Sequence, residues 1–254
     1  MKLWFSISGT SYKGEEPDFY DAEQFDWAKH LMDNWVTIRE EMSPMIDEGQ
    51  NSILKPYFEG ALTFPPKNWK TESFFFWTRA NRIMIDMFPK TYQIIKQVPG
   101  LVSASINLLE PGSKIIPHYG DTNAIYRGHL GLKIPAALPL CGFRVQDETR
   151  PWEEGKFLIF LDAYTHEAFN NSDQKRYILL LDVLRPEFRN RKYRICTWVL
   201  GSLSLYEMAG KIPRMRKKFE RLPAFLKNAF LLPAQIYWAL YLLLQRNIFS
   251  THLR

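Results

Sequence analysis

Ser103-Ala104-Ser105-Ile106-Asn107-Leu108-Leu109-Glu110-Pro111-Gly112-Ser113-Lys114-Ile115-Ile116-Pro117-His118 is the stretch on which the reading of this chain turns. Two runs with a side-chain period of two flank Glu110-Pro111-Gly112, a tripeptide with the chemistry of a tight turn. The pattern recurs downstream. Candidate strands are Ser103–Leu109, Lys114–Pro117, Tyr126–Pro135, Gly142–Gln146, Phe157–Asp162 and Tyr177–Leu184, with separators at Gly120-Asp121, Leu138-Pro139 and Glu153-Glu154-Gly155. Short strands at this density, with no helices between them, predict an antiparallel sandwich or barrel. There is no internal repeat and no Rossmann or P-loop glycine pattern.

Working outward, Asp18 to Glu48 reads as helix, because Phe25, Trp27, Leu31, Trp35, Ile38 and Met42 recur near helical spacing. Trp69 to Trp77 is an aromatic-rich candidate for the first strand of the body. Pro89-Lys90-Thr91 opens a helix running to Gln97, with proline suited to its first turn. Residues 1–16 read as a loosely ordered leader. Beyond Pro186 basic and apolar blocks alternate. The expected units are a leader over 1–16, a barrel domain with N-terminal helices over 17–188, and a helical extension over 189–254.

At 254 residues and 46% apolar, the chain can bury one sizeable core. Its two cysteines, Cys141 and Cys196, form no paired framework, so a reducing compartment and a sulfur-free metal site are expected. The net charge of +6 is unevenly spread: from Arg185 onward 14 Lys+Arg face 3 Asp+Glu, a local net of +11. Such a tail suits nucleic acid, an anionic membrane surface or plain solubility. Leu3 to Ile7 is too short and polar for the apolar stretch of a signal peptide.

On the strand Tyr126–Pro135, Arg127 and His129 share one face, while Leu130, Leu132 and Ile134 share the other with Tyr126. A barrel interior that needs to hold an anion explains such a strand; a solvent-facing edge strand is the alternative. Arg176 heads Tyr177-Ile178-Leu179-Leu180-Leu181-Asp182-Val183-Leu184, a run apolar on both faces and therefore central. A guanidinium there suits a carboxylate held bidentately, unless it lies exposed just outside the strand. His118 follows a proline in a turn, and His166 follows the strand ending at Asp162. Each alone reads as structural; together, each with an arginine downstream, they suggest a metal with an anionic co-substrate. Two histidines and a carboxylate make the usual non-haem iron site, but the carboxylate position here is Gly120.

These strings, with Trp152-Glu153-Glu154-Gly155-Lys156 and His166-Glu167, resemble the aspartyl/asparaginyl β-hydroxylase family over about Trp69 to Pro186. The resemblance implies a double-stranded β-helix, the cupin-like jelly roll, mainly β with flanking helices and a helical C-terminal tail. It implies an Fe(II)- and 2-oxoglutarate-dependent dioxygenase that uses O2 to hydroxylate an unactivated carbon. In the members that hydroxylate peptides, two histidines alone bind iron, which Gly120 matches. By the same resemblance His118 and His166 are the metal ligands and catalytic centre. Arg176 holds the distal carboxylate of 2-oxoglutarate, with Arg127 and His129 near its chelating end. Asn107 stands where the family offers a polar partner, usually a serine. Asp121 reads as a turn residue or a reach toward iron, with the turn preferred.

A peptide or protein Asp/Asn side chain is the first substrate this implies. The flanks, Asn34-Trp35 with Ile38-Arg39-Glu40 and the tail, resemble bacterial lipid A hydroxylases, which make a lipid acyl chain the alternative. Ala229 to Leu244 falls short of a bilayer span and contains Pro233, so 211–246 is expected to lie on an anionic membrane surface. The expected location is the cytoplasm, peripheral on the inner face of a membrane; packing of the helix against the barrel or a dimer partner is the alternative. A three-histidine cupin with His129 as third ligand and no redox chemistry is the alternative of another class. Nucleic acid is not expected, because no RNA-type aromatic motif accompanies the basic tail.

Overall fold

The computed structural model describes residues 2–58, 60–210, 222 and 224–250. Twelve strands form among the described residues: β1 (Lys55–Pro56), β2 (Thr63–Phe64), β3 (Trp69–Phe76), β4 (Arg79–Ala80), β5 (Leu101–Leu109), β6 (Ser113–His118), β7 (Ile125–Lys133), β8 (Cys141–Val145), β9 (Glu148–Arg150), β10 (Phe157–Leu161), β11 (His166–Asn170) and β12 (Arg176–Leu184). From β5 onward the chain passes back and forth between two antiparallel sheets. The larger has the order β1-β3-β5-β12-β7-β10, with β4 on β3; the smaller has the order β2-β6-β11-β8-β9. The first, eighth, third and sixth strands of the β5–β12 set thus face the second, seventh, fourth and fifth. That wrapping is a double-stranded β-helix, as the resemblance implied.

The expected strands are present with ends shifted by a residue or two, and β1, β2, β4, β9 and β11 are additional. β11 escapes a periodicity search because His166-Glu167-Ala168-Phe169-Asn170 offers only two apolar side chains. The long helix expected over Asp18 to Glu48 is divided into α1 (Asp26–Asp33), α2 (Trp35–Glu41) and α3 (Ser43–Ile46). Asn34 sits between the first two, its side-chain amide donating back to the His30 carbonyl at 2.8 Å. α4 (Arg82–Met87) and α5 (Pro89–Ile95) complete this group, with Pro89 in the first turn of α5 as expected.

Three cores hold the molecule together. Trp27, Leu31, Ile38 and Met42 of the N-terminal helices pack on the outer face of the larger sheet, against Leu130, Leu132, Leu179 and Leu181. Phe143, Trp152, Phe160 and Ile178 fill the space between the sheets. The third core joins the barrel to α6 (Lys192–Gly210) and α7 (Ala224–Ser250) through Trp77, Leu184, Phe188, Val199 and Leu242. The extension is therefore docked on the barrel.

The leader differs from its expected looseness. Ser6 N–H donates to the Asp121 carbonyl at 2.9 Å, Thr122 Oγ1 donates to the Trp4 carbonyl at 2.7 Å, and Asn123 Oδ1 accepts from Trp4 N–H at 2.8 Å. Its backbone groups find partners in the loop after His118, a kind of pairing that local patterning does not display. α7 also runs through Pro233 without ending, with the proline on the exposed side where its freed carbonyl can meet solvent. No described helix is long and apolar enough to cross a membrane.

Candidate active site

Strand register builds the centre of the site. β6 ends on His118, β11 begins on His166, and antiparallel pairing sets the two opposite each other. Their ring centroids lie 4.3 Å apart. Each Nδ1 faces the backbone carbonyl two residues upstream, Ile116 O for His118 and Tyr164 O for His166, both at 2.8 Å. An imidazole donating from Nδ1 keeps its Nε2 lone pair for a metal. Burial pushes His118 down to about 4 and His166 well below the usual histidine range, with the Arg127 charge acting in the same direction on both. Both rings are therefore neutral at pH 7, the state that binds metal.

All six residues singled out from the sequence, Asn107, His118, Arg127, His129, His166 and Arg176, line one interior cavity. The cavity measures about 30 Å³. Arg176 is 1% exposed, which settles the choice between a strand-head interior position and solvent. Its guanidinium lies 4.5 Å over Trp152, and both Nε and Nη1 lack any hydrogen-bond partner. Burial pulls its pKa down to about 10, with no carboxylate to counter it. A buried cation without a partner awaits an anion.

Arg127 lines the same cavity with two carboxylates as its partners. Its Nε and Nη2 donate to the two Asp182 oxygens at 2.7 and 3.0 Å, and its Nη1 lies 2.5 Å from Asp162 Oδ1. Burial opposes its charge, and the two carboxylates more than offset that, so Arg127 is an internal brace at the cavity wall. Asn107 is likewise occupied, accepting from Trp69 Nε1 at 2.9 Å and donating to Ser105 Oγ at 2.9 Å. His129 packs among Phe143 and Phe160, with centroids 4.8 and 5.1 Å away and its Nδ1 unbonded. Among the described residues no group of three or more His, Cys, Asp or Glu could hold a metal. His129 therefore forms no three-histidine cluster with His118 and His166 there.

Sequence reasoning missed Asp162 and Asp182. Asp182 had a signal, as a carboxylate inside the most apolar strand must have a buried partner, and Arg127 lies directly across from it. Asp162 is fully buried and stands with Oδ1 3.8 Å from His166 Nε2. A Cβ on Gly120 would fall 1.6 Å from Asp162 Oδ2, so this carboxylate occupies the space that a side chain at position 120 would need. Burial raises Asp162 to about 7, with the Arg127 charge opposing that rise. Asp121 belongs to the loop that the leader holds, through its backbone carbonyl.

Fold and site together define a double-stranded β-helix with an interior two-histidine centre and an unpaired arginine at its floor. The family model described as aspartyl/asparaginyl beta-hydroxylase matches residues 32–186, and the chain belongs to that family. It is 31% identical over 195 residues to an ornithine lipid ester-linked acyl 2-hydroxylase of Rhizobium tropici, covering 75% of this chain and 68% of that protein. It is also 31% identical over 171 residues to the human aspartyl/asparaginyl beta-hydroxylase, covering 65% of this chain but only 22% of that protein. A Pseudomonas putida prolyl-4-hydroxylase structure aligns over 62% of this chain and 87% of its own, at 16% identity and a TM-score of 0.37, a likeness too slight to build on.

Proposed function

We propose that the chain is an Fe(II)- and 2-oxoglutarate-dependent hydroxylase. The observation that carries this is Arg176, a buried guanidinium with two unbonded nitrogens in the cavity that holds two neutral, pre-oriented histidines. His118 and His166 would hold the iron through Nε2, and Arg176 would take the distal carboxylate of 2-oxoglutarate. When bound, these supply oxidative decarboxylation of 2-oxoglutarate to succinate and CO2, with the second oxygen atom of O2 going to the substrate as a hydroxyl. The protein contributes the rest. Arg127 pins Asp162 beside His166, the aromatic packing of Phe143 and Phe160 excludes water, and Trp152 packs against the Arg176 guanidinium.

Trp152 lies against the Arg176 guanidinium, so 2-oxoglutarate held there would meet its indole. Its binding should therefore change intrinsic tryptophan fluorescence in wild type, and in Arg176→Ala only at much higher 2-oxoglutarate concentrations. A wild-type titration with no such change and no succinate formation would remove the basis of this reading.

For the substrate, the reading is a lipid acyl chain. α7 turns Phe230, Tyr237, Leu240 and Leu244 outward, each more than half exposed, and an apolar helix face beside a basic tail suits an anionic bilayer surface. A relative of which this chain covers 68% is a lipid hydroxylase by name. The basic cluster Lys211, Arg214, Arg216, Lys217, Lys218 and Arg221 lies outside the described residues. A peptide Asp/Asn side chain is the second reading, favoured by Gly120 in the carboxylate position. Turnover of 2-oxoglutarate with each substrate class separates the two: coupling to a peptide and not to a lipid would reverse the preference.

A further inference from the structure

Outward from the histidines, the inner face of the larger sheet opens into a groove of about 420 Å³, which shares Asn107 and Arg127 with the metal cavity. Ser73, Ser103, Ser105 and Leu180 lie along it. Ser103 Oγ accepts from Trp77 N–H at 3.1 Å and Ser105 Oγ from Asn107 Nδ2 at 2.9 Å, which leaves each hydroxyl proton to be donated elsewhere. Of the two carboxylates along the groove, one is paired with a cation and the other is held by neutral donors. Asp182 is held by Arg127, and Glu72 Oε1 takes Ser73 N–H at 3.1 Å and Asn81 Nδ2 at 3.0 Å. At the outer end stands Arg79. It has no ion pair among the described residues, its Nε is buried without a partner, and its guanidinium lies 4.8 Å over Trp238 and 5.8 Å over Tyr241 of α7.

We propose that Arg79, with the serines along the groove, forms a subsite for the acidic headgroup of the lipid, a carboxylate or a phosphate. This rests on the lipid reading above. Donor hydroxyls leading to a cation complement a head rich in acceptors and ending in an acid. A lipid hydroxylated on its acyl chain close to the head would bring that head within a few bonds of the histidines. A groove with aromatic walls formed by Tyr57, Phe58 and Trp69, and a line of hydroxyls leading to a cation, has a place for both the chain and the head. Trp238 and Tyr241 hold the guanidinium against the same helix whose outer face carries the apolar strip.

The test uses the full chain without iron and three short-chain amphiphiles, kept monomeric, with identical acyl chains. One carries a phosphate head, one an amino-acid carboxylate head, and one is a neutral diacylglycerol. Wild type should bind an acidic probe at least roughly tenfold more tightly than the neutral one, as expected for a charged hydrogen bond. The stronger acidic probe identifies the head. Arg79→Gln should erase the preference and leave neutral-probe affinity unchanged. Arg79→Lys should restore part of it, and Ser73→Ala, which leaves α7 undisturbed, should weaken acidic binding alone. Equal loss for all three probes with a lower Tm would make Arg79 a helix-docking residue and overturn the subsite, as would an unchanged preference in Arg79→Gln. If lipids still support 2-oxoglutarate turnover in either case, only the subsite falls. If no amphiphile binds and a peptide is hydroxylated instead, the lipid reading falls with it.

Discussion

At the scale of single residues, the site is defined by what each side chain lacks. His118 and His166 have Nδ1 committed and Nε2 free, and both stay neutral through burial. His118→Ala and His166→Ala should each abolish high-affinity iron binding while leaving the melting transition close to wild type, measured by metal titration and calorimetry. Iron bound with wild-type affinity in either variant would contradict the ligand assignment. Gly120 makes the opposite point. Its Cβ would collide with a carboxylate that is buried and braced by Arg127, so the neighbour has nowhere to yield. Gly120→Ala should cost about 1–3 kcal/mol, as overpacking does, visible as a drop in Tm of roughly 2–4 °C per kcal/mol for a domain of this size.

At the scale of elements, the leader matters more than its composition suggests. It grips the loop following His118, and Glu16 closes the strap with an ion pair to Arg185 at 2.8 Å and hydrogen bonds from the Tyr12 and Tyr164 hydroxyls. Burial alone would raise Glu16, but Arg185 and Tyr12 outweigh it and hold the carboxyl below its usual range. A depressed carboxylate stabilises the fold above its unfolded value, about 4.3, and loses that contribution as pH falls through the folded value. Glu16→Gln should therefore lower Tm at pH 7, and its difference from wild type should shrink as pH drops below about 4. A constant difference across that range would show that the pair contributes through packing alone. For α7, replacing Leu240 and Leu244 with Glu should reduce sedimentation with anionic vesicles and leave the barrel's Tm unchanged. Undiminished vesicle binding would remove this face from the membrane reading.

Over the whole molecule, legibility followed locality. The barrel strands could be read because alternating faces and turn tripeptides are local signals, and Arg127 and His129 do share a wall of the interior cavity. His118 and His166 could be singled out by residue type, but their pairing across β6 and β11 is a fact of register that no window of sequence contains. The Asp162–Arg127–Asp182 brace was hidden for the same reason, since its members are joined only by the closed sheet. The strapped leader and the docked extension likewise depend on partners far along the chain. The central claim is that His118, His166 and Arg176 together make one site for iron and 2-oxoglutarate. The most direct measurement is 2-oxoglutarate binding to the iron-loaded chain without oxygen, by calorimetry, in wild type, Arg176→Ala and Arg176→Lys. Truncating one partner of a buried charge pair costs about 2–5 kcal/mol, so the alanine variant should bind roughly 30-fold or more weakly, with lysine recovering part and iron affinity unchanged in both. Equal 2-oxoglutarate affinity in all three proteins would contradict it.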